Sequence, residues 1–305
     1  MKHKRITIFT PTYNRGYILD KCYKSLIRQT NKDFVWLIID DGSTDNTKEL
    51  VKKWQSENSI EIEYIHQKNQ GMAGAHNTAY EMIKTELNMC VDSDDYLLDD
   101  AIQKILNKWD TCDKKNRAGI IALNTYENGQ IVGTKLPKNI QHEKIYDIYN
   151  RYHVKGDKKL IYRTDLTKKF RYKITKGEKS VSSACIYYKI DQLYDLEILN
   201  ESVCVVTYLN DGMSHNTKQR YLDNPNGNIE YAKVILEIPN ATKINKIKQA
   251  IHYVANANIL KQKNKIIKGK GKIYTIICYP LGIIYSLIIK KTKNIINKEK
   301  KAHNE

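Results

Sequence analysis

At 305 residues, 41% hydrophobic and 28% charged, the chain has the composition of a soluble globular protein and enough length for a large core that folds without staples. Six cysteines, scattered without a CxxC pair or a histidine at ligand spacing, exclude a disulfide framework and a structural zinc site, and read as reduced, mostly buried thiols of a cytosolic protein. The formal charge of +17 belongs to the tail, where Lys261 to Lys301 holds about a dozen lysines against Glu299 as the lone acid.

Met1-Lys2-His3-Lys4-Arg5 leads straight into a strand at Ile6 to Thr10 with no apolar signal region, so export by that route is not expected. Leu19, Cys22, Leu26 and Ile27 recur at helical spacing and predict a helix from about Ile18 to Gln29. Phe34 to Ile39 is continuously apolar, as a strand buried on both faces should be, and ends in Asp40-Asp41-Gly42-Ser43. Ser43, Thr44 and Asp45 offer N-caps for a helix through Leu50, Val51 and Trp54. A third strand alternates through Ile60, Ile62, Tyr64 and His66. A helix over Gly74 to Thr85, a strand over Leu87 to Asp92, a helix over Asp99 to Trp109 and a strand over Gly119 to Leu123 follow. After the turn-rich Asp223 to Gly227 the pattern is helical, through Val234 to Leu236 and Ile247 to Leu260.

Strands alternating with helices predict a mostly parallel α/β sheet covered on both faces, which binds ligands beyond the carboxyl ends of its strands. That rule gathers the strand-end sequences into one site. The first supplies Thr10-Pro11-Thr12-Tyr13-Asn14-Arg15: a fixed φ, a hydroxyl, a flat ring and a cation. The second supplies Asp40-Asp41, acceptors for base N–H or ribose hydroxyls. After the third comes Asn69 to Asn77, in which Gly71 and Gly74 permit close backbone approach to a ligand at a helix start. The fourth ends in Val91-Asp92-Ser93-Asp94-Asp95, whose like charges repel unless a cation or hydrogen-bond donors share the site. Singly, each segment also reads as an ordinary turn, a helix cap or local packing; their order and shared position at strand ends make them specific.

Together, TPTYNR, IIDDGSTDNT, NQGMAGAHN and CVDSDDYLLDD resemble the nucleotide-sugar domain of family 2 inverting glycosyltransferases of GT-A fold, of the bacterial capsule and wall polysaccharide type. The resemblance implies that Pro11, Thr12, Tyr13 and Asp41 contact the uracil of a UDP-sugar and that Arg15 lies near the nucleotide. Gly71, Gly74, Asn77 and Ser93 would line the same donor site. Asp92 would face the ribose or the metal, and Asp94, closing the DxD motif Asp92-Ser93-Asp94, would ligate Mn²⁺ or Mg²⁺ on the diphosphate. Such an ion neutralises charge developing on the leaving group without supplying a proton. The family usually carries Arg where this chain has His76, and a neutral imidazole offers neither a permanent charge nor a bidentate fork, so His76 receives no phosphate role.

The second half must supply a base for the acceptor hydroxyl. By the same resemblance the choice is Glu178 in Lys176-Gly177-Glu178-Lys179, where Lys179 replaces the family's usual aspartate and Ser183 an acid common in the subgroup. Asp157 and Asp211 compete. The expected organisation is a nucleotide-sugar-binding half over 1–112, an acceptor-binding half over 113–225 and a helical extension over 226–305.

Within that extension Ile273 to Ile289 is apolar, with Lys268, Lys270 and Lys272 before it and Lys290, Lys291 and Lys293 after it. It sits at the lower limit of the roughly 17 to 25 residues a spanning helix needs, and Pro280 and Gly282 interrupt it. Interfacial insertion into an anionic membrane surface is the expectation, and docking on the protein's own core the alternative. The expected partners are a nucleotide-sugar, a glycan or lipid-linked saccharide acceptor and that membrane, on the cytoplasmic face. No nucleic-acid recognition module is present. A noncatalytic nucleotide-sugar-binding protein of the same fold is the rival reading.

Overall fold

The computed structural model describes residues 4–178, 180–207 and 217–302. The first predicted strand and the continuously apolar second one become the central strands, β1 (Ile6–Thr12) and β2 (Phe34–Asp40), buried at nearly every position. Helix α1 (Leu19–Ile27) connects them, and α2 (Thr47–Glu57) leads on to β3 (Ile62–His66), a half-buried edge strand. Next come α3 (Gly71–Met82), β4 (Leu87–Cys90), β5 (Tyr96–Leu97), α4 (Ala101–Thr111) and β6 (Arg117–Thr125). The chain continues through β7 (His142–Glu143), α5 (Ile145–Asn150), β8 (Lys158–Arg163), α6 (Thr164–Thr167), α7 (Ala184–Ile190) and β9 (Asp195–Val205). Helices α8 (Thr217–Asp223), α9 (Pro225–Glu237), α10 (Lys243–Ile259), α11 (Lys272–Ile277) and α12 (Tyr279–Ala302) complete it.

The nine strands form one sheet in the order β3-β2-β1-β4-β8-β6-β9-β5, with β7 on β9. The first four are parallel, as the strand–helix alternation predicts, whereas β8 runs antiparallel to both β4 and β6 and the far half is mixed. The register pairs Thr12 with Asp40 and Phe9 with Cys90, so the polar sequences after three strands emerge on one edge. Beneath them Ile6, Ile8, Trp36, Ile38, Met89, Val91 and Trp109 make the core, each fully buried large side chain contributing about 1.5–3 kcal/mol.

The chain divides into two compact units, one running to Tyr172 and resuming at Lys189, the other taking Lys173–Tyr188 and the C-terminal helices. Position 112/113, between the expected halves of the donor and acceptor domain, falls inside the first unit, and 225/226 falls at the start of α9. The segment 173–188 joins the helices because its polar groups are spent there, Glu178 on Asn226 and Gly227 and the Ser180 N–H on Asn224 Oδ1 at 2.8 Å.

In the second unit α9, α10 and α12 pack around Ile229, Ala232, Leu236, Val254 and Ala257. The apolar run from Ile273 to Ile289 is interrupted at Cys278, between α11 and α12, and Pro280 and Gly282 lie at the start of α12. Pro280 occupies its first turn, where a missing N–H costs nothing, and a Cβ on Gly282 would lie 2.5 Å from Val254 Cβ, so glycine is what lets α12 and α10 touch.

Candidate donor-sugar site

The loops after β1 and β2 are tied into one cradle. Asn14 adopts φ 52°, a left-handed conformation that asparagine tolerates better than most residues. Its backbone N–H donates to Ser43 Oγ at 2.9 Å, and its Oδ1 accepts from the Thr44 N–H at 2.7 Å. Asp45 accepts from Gly16 N–H at 3.0 Å and Thr47 Oγ1 at 2.6 Å; burial works against its charge, but these bonds more than offset that and hold its carboxyl below the usual range. Asn14, Ser43 and Asp45 are positioning residues that the spacing of the motif does not reveal.

The two adjacent acids of this cradle meet different fates. Asp40 is fully buried and spends both oxygens, Oδ1 on the Ser43 N–H and Oδ2 on the Tyr64 hydroxyl. Asp41, 4% exposed, accepts on Oδ1 from Gln67 Nε2 at 2.7 Å and the Gln70 N–H at 2.9 Å. Its Oδ2 accepts no hydrogen bond among the described residues. The Asp41 N–H donates to Thr12 O at 2.8 Å, setting Thr12 beside it, and the Thr12 hydroxyl is buried without a partner. Pro11 is half-buried near the end of β1, and Tyr13, just beyond it, is 50% exposed. Arg15 donates to the Tyr17 hydroxyl, and its guanidinium carbon lies 5.8 Å from the Tyr17 ring centre. An open carboxylate oxygen, an unspent hydroxyl and a bare aromatic face suit a planar base that carries an N–H.

The third segment runs into the first turns of α3. Gly71, at φ +73°, opens α3, but a Cβ on Gly74 would lie 2.2 Å from Gln70 Cβ, so Gly74 makes room for a neighbouring side chain of its own turn. Asn77 clamps the Tyr172 backbone, donating from Nδ2 to its O at 2.9 Å and accepting its N–H on Oδ1 at 2.8 Å. Its amide oxygen and nitrogen are thereby both engaged with the Tyr172 backbone. His76, 4% exposed, donates from Nδ1 to Met72 O at 2.9 Å and meets Phe9, Tyr80 and Tyr172 edge to face. Burial lowers its pKa against the pull of Asp92. The imidazole is a neutral wedge in an aromatic cage.

At the fourth strand end the required cation is partly internal. Asp95 is 7% exposed, and its Oδ2 lies 3.5 Å from the Nζ of Lys159, a buried residue of β8 that also donates to Cys90 O at 3.3 Å. The Asp95 Oδ1 accepts the Thr207 N–H at 3.2 Å. Burial lifts its pKa to about 6 despite Lys159. Burial also works against the Lys159 ammonium, and the surrounding Cys204, Asp95 and Asp92 more than offset it, so the lysine stays charged. Asp92 is exposed, Asp94 half-buried and Ser93 buried. Among the described residues no group of three or more His, Cys, Asp or Glu gathers at metal-ligand spacing. One exposed and one half-buried carboxylate suit a hard divalent ion that takes its remaining ligands from phosphate oxygens and water.

Glu178 lies in the second unit and caps α9. Its Oε1 accepts from the backbone N–H and Nδ2 of Asn226 at 2.8 and 2.7 Å, and its Oε2 from the Gly227 N–H at 2.9 Å. These are first-turn N–H groups with no partner inside the helix, where negative charge is favoured. The partner set is that of a cap. Of the competing acids, Asp157 is exposed, and Asp211 lies outside the described residues, as does Lys179.

Sheet order and flanking helical layers are those of the GT-A fold. The family model "Glycosyl transferase family 2" matches residues 7–171, more than half of the chain, and the chain belongs to that family. "Glycosyltransferase GlyA" of Streptococcus pneumoniae is 36% identical over 104 residues, 34% of this chain and 15% of that protein. Chondroitin synthase of Escherichia coli is 34% identical over 104 residues, with the same two shares. The chain thus matches about 15% of the length of these curated relatives. Staphylococcus aureus TarS 1-349 in complex with UDP-GlcNAc is similar at TM-score 0.60 and 20% identity, over 85% of this chain and 74% of that one. The mannosyltransferase PcManGT from Pyrobaculum calidifontis, in complex with GDP-Man and Mn²⁺, is similar at TM-score 0.57 and 14% identity, over 96% and 88%. Both likenesses carry the fold.

Proposed function

We propose that this chain moves a sugar from a UDP-linked donor to a hydroxyl of a growing glycan, with inversion at the anomeric carbon. The observation that carries the reading is the Asp41 carboxylate, half spent and half open, beside the unpartnered Thr12 hydroxyl. The imide N–H of uracil donates to such an oxygen while its ring stacks on Tyr13. The UDP-GlcNAc complex of TarS and the polysaccharide synthases among the relatives support the donor and acceptor classes. A lipid-linked acceptor is the form that a membrane-bound chain would meet.

In the reaction the acceptor oxygen bonds to the anomeric carbon as the bond from that carbon to the β-phosphate oxygen breaks, UDP departs, and the acceptor proton passes to a base. Asp41 and Thr12 hold the base of the nucleotide, Tyr13 covers it, and Arg15 lends positive charge near the phosphates. Asp94, with Asp92, would hold Mn²⁺ or Mg²⁺, which when bound neutralises charge developing on the diphosphate. The Mn²⁺ complex of PcManGT supports such an ion.

The test is a panel of UDP, GDP and their sugars with and without Mn²⁺, read by thermal unfolding and by nucleotide release. UDP with Mn²⁺ should raise the melting temperature, since a ligand at 100 times its Kd stabilises by about 2.7 kcal/mol, and Asp94→Ala should abolish the Mn²⁺-dependent part and cut turnover at least about 100-fold. Indifference to every uridine ligand would end the proposal. The role of Glu178 as a cap, together with Lys179 and Ser183 in place of acids, favours a second reading, a nucleotide-sugar binder without turnover. It predicts the same thermal shift with no UDP released from any donor and acceptor pair.

A further inference from the structure

The second unit carries an apolar surface that no part of the described chain covers. Helix α12 and the short α11 present one side to their neighbours: Thr275, Cys278, Gly282, Ser286 and Ile289 are buried. On the opposite side Ile273, Ile277, Leu281, Ile284, Leu287 and Ile288 are each more than half exposed. Their spacing of three and four residues puts them in one stripe along both helices. Single exposed isoleucines need no explanation, but a continuous stripe of them marks an interaction surface.

The charge around the stripe decides its partner. Lys268, Lys270 and Lys272 are exposed just before it, and Lys290 and Lys291 just beyond it, with no acid between Lys261 and Ile296. An apolar stripe bounded at both ends by lysines suits a surface that is greasy inside and anionic at its rim. No helix is long and apolar enough to cross a membrane among the described residues. We propose that α11 and α12 lie in the plane of an anionic lipid bilayer, the stripe entering the acyl boundary and the lysines meeting the headgroups. Docking on the second unit's own core takes up the opposite side of the same helices, through Cys278, Gly282 and Ile289, and leaves these side chains exposed. The inference rests on the tail alone and is independent of the donor chemistry.

Cosedimentation with phosphatidylglycerol-containing vesicles, and with phosphatidylcholine vesicles as control, tests it on the full chain. The protein should pellet with the anionic vesicles and release with salt, and Lys290→Gln or Lys291→Gln should each weaken binding about fivefold. Ile277→Glu with Leu281→Glu and Ile284→Glu should abolish it; the sites are exposed, and an unchanged melting temperature confirms the fold. In an Ile284→Trp variant the indole emission should shift to the blue on anionic vesicles and be quenched by brominated acyl chains. Wild-type protein left in the supernatant, or a triple-glutamate variant that pellets as well as wild type, overturns the proposal. So does a wild-type dimer in solution that the three glutamates dissociate without any vesicle binding, which would give the stripe to a second copy.

Discussion

The sheet edge of the first unit and the start of α9 in the second both gather acids against polar donors, yet they leave them in opposite conditions. At the sheet edge Asp41 retains an open oxygen and Asp92 stands exposed, while their neighbours Asp40 and Asp95 are consumed by the fold. At α9 the Glu178 carboxylate is committed to three helix-start hydrogen bonds. The same functional group therefore serves chemistry or architecture according to how many of its lone pairs the protein has already taken.

The sharpest way to break this comparison is to remove the internal cation. Lys159→Met leaves the Asp95 carboxylate buried without its counter-charge and should cost about 3–5 kcal/mol in urea unfolding, most of it regained in Lys159→Met with Asp95→Leu. A single substitution that costs less than about 1 kcal/mol would mean that Asp95 is not a structural acid.

A smaller effect comes from Asp191, another acid spent on architecture. Burial raises its carboxyl from 3.8 to about 7, against the N–H groups of Ile145 and Tyr146 that it accepts at the start of α5. The native chain therefore keeps a proton that the unfolded chain releases, and stability falls as pH rises from about 4 to 7, by at most about 1.4 kcal/mol per unit. Asp191→Asn should flatten that slope in melting curves recorded across the window. Identical slopes would show that the group titrates normally.

The smallest expected change tests the cap. Glu178→Gln should lower stability by about 1 kcal/mol and leave turnover within a few-fold of wild type. A loss beyond about 100-fold at unchanged stability would restore Glu178 as the base.

What the sequence reveals follows from the same contrast. The strands over Ile6, Phe34 and Leu87 are legible because both faces are buried and their residues are mostly apolar, without a break in β2. The strand β8 is not, since it opens with Lys158 and Lys159, whose ammonium groups reach carbonyls and Asp95 inside the fold. Strand β9 hides its pattern behind shifts in register against β6. Motif residues announce that an acid stands at a strand end. Their partners arrive from Lys159, Thr207 and Asn226, distant in the chain, and no local spacing records them.

Gly282 fixes more than a contact. Because backbone meets Val254 where a methyl group would overlap it, α12 has little freedom to roll about its long axis, and the arc of side chains it shows to the outside is selected from its hidden side. An alanine at that point would act as a wedge, lifting or turning the helix and presenting a different arc without altering any outward residue.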